Sequence, residues 1–303
     1  MLKIDEFYFL NDEMNKNQFK WFVLLMLSLI WGSSFILMKK ALLGLSPIQV
    51  GALRILITAF FLLIIGFKSL KKIKKEQWKY VFFSALLGTL FPSFLYAFAI
   101  DKIDSSIASI LNSLTPFNTL IVGTLVFGFI FQKKQLIGIL IGLVGTLILI
   151  MKGASLNPNQ NYWFALLPII SSIGYAFNVN IIKKYLQDLD AIAITTGNFI
   201  LIIIPAFLVL LYTGFFTSFE LNETTEPALL YILILAIVGT GFAKIMFNKL
   251  IQISSPVFSA SVTYLIPIVA VMWGILDGEK LSVIQLVAGV IILFGVYMVN
   301  KNK

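Results

Sequence analysis

Two cationic residues lie inside apolar segments of this 303-residue sequence, where a charge needs a partner. Arg54, the only arginine, lies about seven residues inside one such segment, and Lys244 lies within another. An unpaired charge deep in a bilayer costs about 3 kcal/mol or more. Arg54 could therefore anchor a substrate carboxylate or act in a gate, and Lys244 could face a cavity and attract anionic groups. Alternatively, each could extend to the headgroups, or Arg54 could bind helix-end carbonyls and Lys244 a buried carbonyl.

Polar side chains also recur inside the apolar segments, where lipid cannot satisfy their hydrogen bonds. A hydrated cavity would satisfy them, and so would bonds between helices, so both interpretations stay open for each residue. The predicted substrate-binding set is Trp31, Ser34, Tyr96, Asn112, Thr115, Tyr175, Asn178, Lys244, Asn248, Ser259, Thr263 and Tyr264.

Pro116 and Pro267 each fall near the middle of an apolar segment. A proline inside a helix removes one backbone hydrogen bond and kinks the helix. We predict that the two prolines shape a cavity or flex as hinges, with Arg54 as a further gating position. The alternative is a fixed bend.

Absent residue types limit the chemistry. The sequence contains no cysteine and no histidine, which excludes disulfides and removes the commonest metal ligands. We therefore predict no metal, no cofactor and no enzymatic activity. ATP hydrolysis is disfavoured because no Gly-Lys dipeptide is present for a phosphate-binding loop. Acidic residues fall near the ends of the apolar segments, which favours facilitated diffusion or exchange over a proton relay through a carboxylate.

The apolar segments themselves predict an all-α membrane protein. Hydrophobic residues make up 59% of the chain and charged residues 12%, whereas about a quarter of a soluble protein is charged. The mean hydropathy is +0.96. Ten segments have about the length that crosses a bilayer as a helix. Their approximate limits are 20–38, 47–67, 78–99, 105–131, 134–151, 161–182, 190–213, 227–248, 255–276 and 282–299.

The distribution of lysines predicts the orientation. Ten spans put both termini on one side, and most lysines flank that side. The opposite side carries only Lys39, Lys40, Lys102, Lys152 and Lys280. Because positive charge accumulates on the cytoplasmic side, we predict that both termini are cytoplasmic and that residues 1–19 form a cytoplasmic tail. The net charge of +9 then reflects topology and not nucleic-acid binding.

The second half of the sequence repeats the first at an offset of about 142 to 151 residues. Gly88-Thr89 aligns with Gly239-Thr240, and Gly128 aligns with Gly278. We therefore predict two repeats of five spans, residues 20–151 and 152–303.

An odd number of spans per repeat means that the second copy crosses the membrane upside down. The loop at residues 68–75 is rich in lysine, whereas its counterpart after the seventh span carries glutamates and no lysine. Inverted repeats are a recurring plan of transporters, whose binding site lies near the midplane between the halves.

The first span ends in Leu29-Ile30-Trp31-Gly32-Ser33-Ser34-Phe35, which is similar to the opening motif of EamA-type carriers of the drug/metabolite transporter superfamily. Arg54, the mid-span prolines and Gly278-Glu279 are further matches, and the resemblance extends from about residue 20 to 300. It implies ten helices, a central cavity between two pseudo-symmetric halves, and export or exchange of metabolites such as amino acids. In the first half, Phe129 follows Gly128 where the family usually has glutamate, so any role of that glutamate applies only to Glu279.

We predict a secondary transporter of small metabolites, with amino acids favoured, that works by alternating access in a bacterial inner membrane. The alternatives are a gated channel or sensor-like membrane protein and, less favoured, a proton-coupled drug or nucleotide-sugar antiporter. Gly138 and Gly142 form a GxxxG motif that permits close helix contact, either within a monomer or in a homodimer. The predicted partners are a small-molecule substrate and the lipid bilayer.

Overall fold

The computed structural model describes residues 16–128, 133–156 and 159–300 of the chain. Most of the predicted tail and Phe129 lie outside the described residues. All regular structure in the described ranges is helical, and we number eleven helices along the chain. They are α1 Lys16–Ala41, α2 Pro47–Lys72, α3 Lys75–Ile100, α4 Ser105–Asn112, α5 Thr115–Leu125, α6 Lys133–Leu156, α7 Tyr162–Tyr185, α8 Ala191–Tyr212, α9 Thr225–Ile253, α10 Pro256–Leu276 and α11 Val283–Asn300.

Each of the ten predicted apolar segments is helical over most of its described residues. Seven helices in the described ranges, α1 to α3 and α7 to α10, are long and apolar enough to cross a membrane. α6 and α11 contain shorter apolar stretches, Leu140–Lys152 and Val283–Gly295. The predicted segment 105–131 is divided into α4 and α5. The loop between α8 and α9 also contains a one-turn helix, Phe215–Ser218.

Local sequence explains where several helices begin. Ser46 accepts a hydrogen bond from the backbone of Gln49, whose side chain accepts one from the backbone of Ser46. This capping box, with Pro47 in the first turn, begins α2. At the beginning of α10 the side chain of Ser255 accepts a hydrogen bond from the backbone of Phe258, ahead of Pro256, without a reciprocal bond.

The distribution of polar and apolar side chains is the reverse of that in a soluble protein. Large apolar residues such as Phe60, Ile64 and Leu125 are exposed, and so much exposed apolar surface is stable only in contact with lipid. Polar residues such as Thr58 and Ser84 are instead fully buried between helices. The helical surface is therefore suited to a bilayer, and hydrogen bonds connect the interior.

Contacts between the halves occur in matching pairs. α1 packs against α9 and α10, while α7 packs against α3 and the α4–α5 pair. α2 packs against its counterpart α8, and α6 packs against its counterpart α11. This arrangement places α1, α3, α7 and α9 around the centre of the protein.

Two aligned positions have matching irregular backbone. Gly88-Thr89 lies in a π-helical segment of α3, Leu86–Leu90, and Gly239-Thr240 lies in a π-helical segment of α9, Ile237–Phe242. A π turn contains one more residue than an α turn and shifts the local hydrogen-bond register. Both irregular segments therefore occur at the same level of equivalent helices.

A glycine ends the turn that follows α5, and an aligned glycine ends the turn that follows α10. Gly128 has φ of +80° and Gly278 has φ of +83°, a region that favours glycine because it has no Cβ. The aligned glycines thus have the same structural role in both halves.

The structure places Pro116 at the beginning of a helix and not inside one, contrary to the sequence pattern. Pro116 lies in the first turn of α5, just after the break at Ser113 and Leu114, where a missing N–H breaks no helical hydrogen bond. Pro267 lies inside α10, as expected. The break in α10 occurs earlier, at Ser261, so the two prolines are not structurally equivalent.

The GxxxG motif is used within the chain. A Cβ added at Gly295 of α11 would lie 2.6 Å from the carbonyl oxygen of Gly138 and 2.6 Å from the backbone nitrogen of Gly142. Only a glycine face allows helices to approach this closely. The motif therefore packs α6 against α11.

Candidate functional site

A cavity lies where α1, α3, α7 and α9 meet, level with the two π-helical segments. The cavity volume is about 80 Å³, which is room for several waters or a small solute. Its lining residues are Trp31, Ser34, Phe35, Met38, Arg54, Gly88, Thr89, Ser93, Tyr96, Asn112, Thr115, Tyr175, Asn178, Gly239, Thr240, Lys244, Phe247, Thr263 and Ile266. Both halves of the chain contribute to it.

Lys244 reaches the cavity from α9, directly after the π-helical segment. Its ammonium donates to the carbonyl oxygen of Gly88 at 2.5 Å and to Oγ1 of Thr89 at 2.5 Å. The residue is 7% exposed, so its charge lies inside the protein and does not reach the lipid headgroups. Lys244 therefore lines the cavity and also binds a buried carbonyl, so the geometry matches both of these interpretations and excludes only extension to the headgroups.

Arg54 reaches the same cavity from α2. Its Nε donates to Oγ1 of Thr240 at 2.6 Å, and the Thr240 hydroxyl donates in turn to the carbonyl oxygen of Leu235 at 2.9 Å. The two cations thus cross between the halves. Arg54 binds the threonine of the second π-helical segment, and Lys244 binds that of the first.

Aromatic and amide groups form the rest of the polar wall. The Tyr96 hydroxyl donates to Oδ1 of Asn112 at 2.7 Å, and the Tyr96 ring stacks on Tyr175 with centroids 6.2 Å apart. Trp31 donates through Nε1 to the carbonyl oxygen of Gly239 at 2.9 Å. Oδ1 of Asn178 accepts from Ser84 at 2.6 Å. These bonds fix the orientation of the side chains that face the cavity.

The structure brings most of the predicted binding residues together. Those that line the cavity are Trp31, Ser34, Tyr96, Asn112, Thr115, Tyr175, Asn178, Lys244 and Thr263, joined by the predicted gating residue Arg54. Asn248, Ser259 and Tyr264 lie outside the lining, as do Pro116 and Pro267. Asn248 donates to Thr195 of α8 at 2.9 Å, and Ser259 bonds to the backbone of Ser255 at 3.0 Å.

The sequence prediction missed Thr89 and Thr240, which hold the two cations. They had been noted only as markers of the repeat. The available signal was a Gly-Thr pair at the middle of two equivalent spans, one of them four residues before Lys244. The apolar part of the wall, with Phe35, Met38 and Phe247, was also missed because such residues are common everywhere in membrane helices.

Glu279 organises a charged network beyond one end of the cavity. Its carboxylate accepts from the backbone N–H of Ser105 and Ser106 at 3.1 Å each, and from both hydroxyls. These two residues begin α4, so the carboxylate caps that helix, where negative charge is favoured. We call Lys39, Lys40, Ser105, Ser106, Asp277 and Glu279 the Glu279 cluster.

Two lysines at the end of α1 complete the Glu279 cluster. Lys39 lies 2.9 Å from Glu279 and 2.8 Å from Asp277, and Lys40 also pairs with Asp277. Burial acts to raise the pKa of Glu279, but hydrogen bonds from Ser105, Ser106 and Lys39 outweigh it and hold the pKa below its ordinary value. The cluster therefore joins α1, α4 and α10 through an ionised carboxylate.

An aromatic group lies near the beginning of α3, whereas the Glu279 cluster lies near its end. Tyr80 stacks on Tyr185 with centroids 4.0 Å apart, and Phe127 lies 6.3 Å from Tyr185 and 6.5 Å from Phe177. The ammonium of Lys184 lies 5.5 Å from the Phe127 ring centroid. We call these five residues the Phe127 cluster. From Tyr80 to Ile100 the helix advances by twenty residue steps, about 30 Å, which is the thickness of a bilayer core.

Comparison with known proteins identifies the family. The profile of the EamA-like transporter family matches residues 18–151 and, a second time, residues 162–301. The chain is 28% identical to the uncharacterized inner membrane transporter YedA of Escherichia coli, over 91% of this chain and 89% of that protein. It is 26% identical to the probable amino-acid metabolite efflux pump of Salmonella typhimurium, over 91% and 93% of the two chains.

The fold itself also recurs in a solved structure. A protein crystal structure superposes with a TM-score of 0.64 at 16% identity, over 92% of this chain and 95% of that one. Likeness at that identity concerns the fold alone, whereas the family profile covers both halves of the chain. The chain therefore belongs to the EamA-like transporter family and is an integral membrane transporter.

Proposed function

We propose that this protein is a secondary transporter that moves small metabolites, with amino acids favoured, by alternating access around the central cavity. The observation that carries the proposal is the cavity itself, which brings together the buried Lys244 and the partly buried Arg54. A fixed structural core has no need of uncompensated charge, whereas a binding site does. The amino-acid preference rests on the resemblance and on the printed name of the Salmonella relative.

The proposed architecture is ten transmembrane helices in two inverted repeats, with α4 and α5 counted as one span. The matching helix contacts, the matched π-helical segments and the equal φ angles of Gly128 and Gly278 support it. The two matches of the family profile, residues 18–151 and 162–301, support the proposed repeats at residues 20–151 and 152–303. In such transporters the substrate site lies where the halves meet, as this cavity does.

The two end clusters suit the alternation between sides. Closing one end and opening the other requires contacts that form and break as units. The Glu279 cluster joins α1, α4 and α10, and the Phe127 cluster joins α3, α7 and the end of α5. We infer that each cluster closes one entrance to the cavity.

The proposed location is a bacterial inner membrane with both termini in the cytoplasm. Lysines support this orientation because the loop at residues 68–75 is rich in them, whereas the loop between α8 and α9 carries Glu220 and Glu223. The Glu279 cluster then faces the periplasm and the Phe127 cluster faces the cytoplasm.

The cavity composition favours facilitated diffusion or exchange. Among the described lining residues there is no carboxylate and no histidine, the groups that usually relay protons in pumps.

Counterflow in proteoliposomes tests the proposal. Liposomes preloaded with an unlabelled metabolite should accumulate the labelled form transiently and saturably, because a carrier exchanges one substrate for another. Phe60→Leu, a change on the exposed face of α2, is the control and should transport normally. Flux that does not saturate and shows no transient accumulation would indicate a channel and refute the carrier proposal.

Single-cysteine labelling tests the orientation, and the sequence suits it because it has no cysteine of its own. In intact cells, a membrane-impermeant maleimide should label Glu223→Cys and leave Lys71→Cys unlabelled until the cells are opened. The opposite pattern would invert the proposed topology.

A further inference from the structure

We propose that the cavity binds the anionic group of its substrate between Arg54 and Lys244, and that the transported metabolites are small organic anions, most simply carboxylates with an apolar body. This inference rests on the proposed function, because it takes the cavity as the transport site. It goes further by assigning the charge of the substrate, and among the metabolites of that proposal it favours acids with a net negative charge over neutral amino acids.

The charge of the cavity is the first argument. Arg54 and Lys244 both line it, and no acidic residue does so among the residues that the structure describes. The ion pairs found in the described ranges involve other lysines, such as Lys39 and Lys72. Since a buried charge without a counter-ion is strongly unfavourable, a bound anion is the group that would neutralise this site.

The donors left free are the second argument. A lysine has three N–H donors and an arginine has five. Lys244 directs two hydrogen bonds to Gly88 and Thr89, and the hydrogen bond of Arg54 described above uses Nε. The terminal amino groups of the guanidinium and one ammonium N–H remain to bind a ligand. A guanidinium presents these groups in the planar fork that matches a carboxylate.

The acceptors argue against a substrate ammonium. Oδ1 of Asn112 already accepts from Tyr96 at 2.7 Å and from Thr115 at 3.3 Å. Oδ1 of Asn178 accepts from Ser84 at 2.6 Å. The backbone oxygen of Gly239 accepts from Trp31. A cationic substrate would thus meet two cations, while these three oxygens already accept hydrogen bonds from the protein, so cationic metabolites should be disfavoured.

The apolar part of the cavity wall specifies the body of the substrate. Phe35, Met38, Phe247 and Ile266 line it, and Phe35 contacts Tyr96 edge to face with centroids 5.7 Å apart. Aromatic and thioether surfaces of this kind favour an apolar or aromatic skeleton. Phenylpyruvate, phenylalanine and phenethylamine share such a skeleton. Near neutral pH the first is an anion, the second has no net charge and the third is a cation, which makes them suitable probes.

The test measures binding and transport with these three probes, and with glutamate, glutamine and lysine as a second series. Binding is measured as a shift in the thermal unfolding of the purified full chain in detergent, since a ligand that binds the folded state raises its Tm. Transport is measured as counterflow in proteoliposomes. We expect at least one anion to bind and exchange about 10-fold more strongly than its neutral and cationic partners, the difference that about 1.4 kcal/mol produces.

Variants locate the effect. Lys244→Met and Arg54→Met should each reduce anion binding about 10-fold or more and reduce discrimination among the three charges. Lys244→Arg keeps the charge and should retain the preference for the anion, which guards against a variant that merely fails to fold. Lys68→Met makes the same change at an exposed position and should behave like the unaltered protein.

The outcomes separate the two proposals. Anion binding that depends on Lys244 and Arg54, without counterflow of any probe, would support the site and overturn the transport proposal. Counterflow of neutral or cationic probes with no anion preference would support transport and overturn the anion site. Absence of a Tm shift for every anion in the panel would also overturn it.

Discussion

The two ends of the protein carry similar lysines and different partners. Lys39 and Lys40 close α1, and Lys183 and Lys184 close α7. At the first end the residues around Gly278 are Asp277 and Glu279, which bind both lysines. At the second end Phe127 precedes Gly128, and Lys184 lies over its ring. Equivalent turns thus carry ion pairs at one end of the protein and an aromatic ring beside a lysine at the other.

The two kinds of contact predict different ways of opening at the two ends. The carboxylate of Glu279 accepts directed hydrogen bonds from Ser105, Ser106 and Lys39, which must break together. The Phe127 cluster is held by ring stacking and a cation–π contact, whose energies vary gradually with displacement. We expect the Glu279 cluster to be the more rigid closure.

The largest effect should follow from Glu279→Gln. The change removes the charge that Lys39 and α4 share, and breaking a buried charged hydrogen-bond network costs about 2 to 3 kcal/mol. We expect a lower Tm in detergent and about 10-fold faster maleimide labelling, from the periplasmic side, of a cysteine introduced at Ser93 in the cavity. Glu220→Gln, the same change at an exposed residue, should alter neither. Equal labelling in both variants would show that the Glu279 cluster does not close the entrance.

Phe127→Asp should make the two ends more alike. The new carboxylate would occupy the position equivalent to Asp277, beside Lys184, and a partly exposed ion pair contributes up to about 1 kcal/mol. We expect counterflow to slow by about threefold, because the cytoplasmic end then opens less readily. Phe127→Leu removes the ring without adding charge and should not slow exchange. Slowing in both variants would assign the effect to loss of the ring.

Lowering the pH should weaken only the Glu279 cluster. The pKa of Glu279 lies below its ordinary value in the folded state, so its stabilisation is complete above the ordinary pKa and is lost as the pH falls through the folded one. Because maleimide reacts with the thiolate, whose fraction falls with pH, the labelling rate of the Ser93→Cys variant is divided at each pH by that of Glu223→Cys on an exposed loop. We expect this ratio to stay constant between about pH 8 and 5 and to rise below that range. A ratio that changes near neutral pH would implicate a different group.

The smallest effect is expected in the aromatic cluster. Tyr80→Ala removes the ring stacked on Tyr185 and should cost about 1 kcal/mol, measurable as a decrease in Tm of about 2 to 4 °C. Tyr80→Phe keeps the stacked ring and should leave the Tm unchanged. A large loss from Tyr80→Phe would mean that the hydroxyl stabilises this end, contrary to the proposed aromatic closure.

Sequence patterns predicted the helices well because a bilayer imposes a minimum apolar length, and the break after Asn112 is the main departure. The site was harder to predict. Asn248 lies one helical turn beyond Lys244 and was predicted to bind substrate, but the rise of about 6 Å over four residues takes it out of the cavity and against Thr195. A helical pattern gives the face of a residue but not its depth.

The burial of Glu279 illustrates a second limit. In the sequence it appears at the end of a span, where a carboxylate is ordinarily solvated. In the structure the residue is only 9% exposed because the beginning of α4, remote in sequence, covers it. No local pattern records a contact across 174 residues. Arg54 posed the same problem, because its assignment depended on Thr240 from the other half.

The crossed contacts of Arg54 and Lys244 have a consequence for the evolution of the chain. If the halves descend from one ancestral subunit, two identical copies would have presented the same donor twice, either two guanidinium groups or two amines. In the fused polypeptide, Asn198 occupies α8 as Arg54 occupies α2, and Ser93 occupies α3 as Lys244 occupies α9. In the fused chain the first half can supply the planar guanidinium of Arg54 and the second half the compact ammonium of Lys244. A homodimer of either half could not combine the two groups in one cavity.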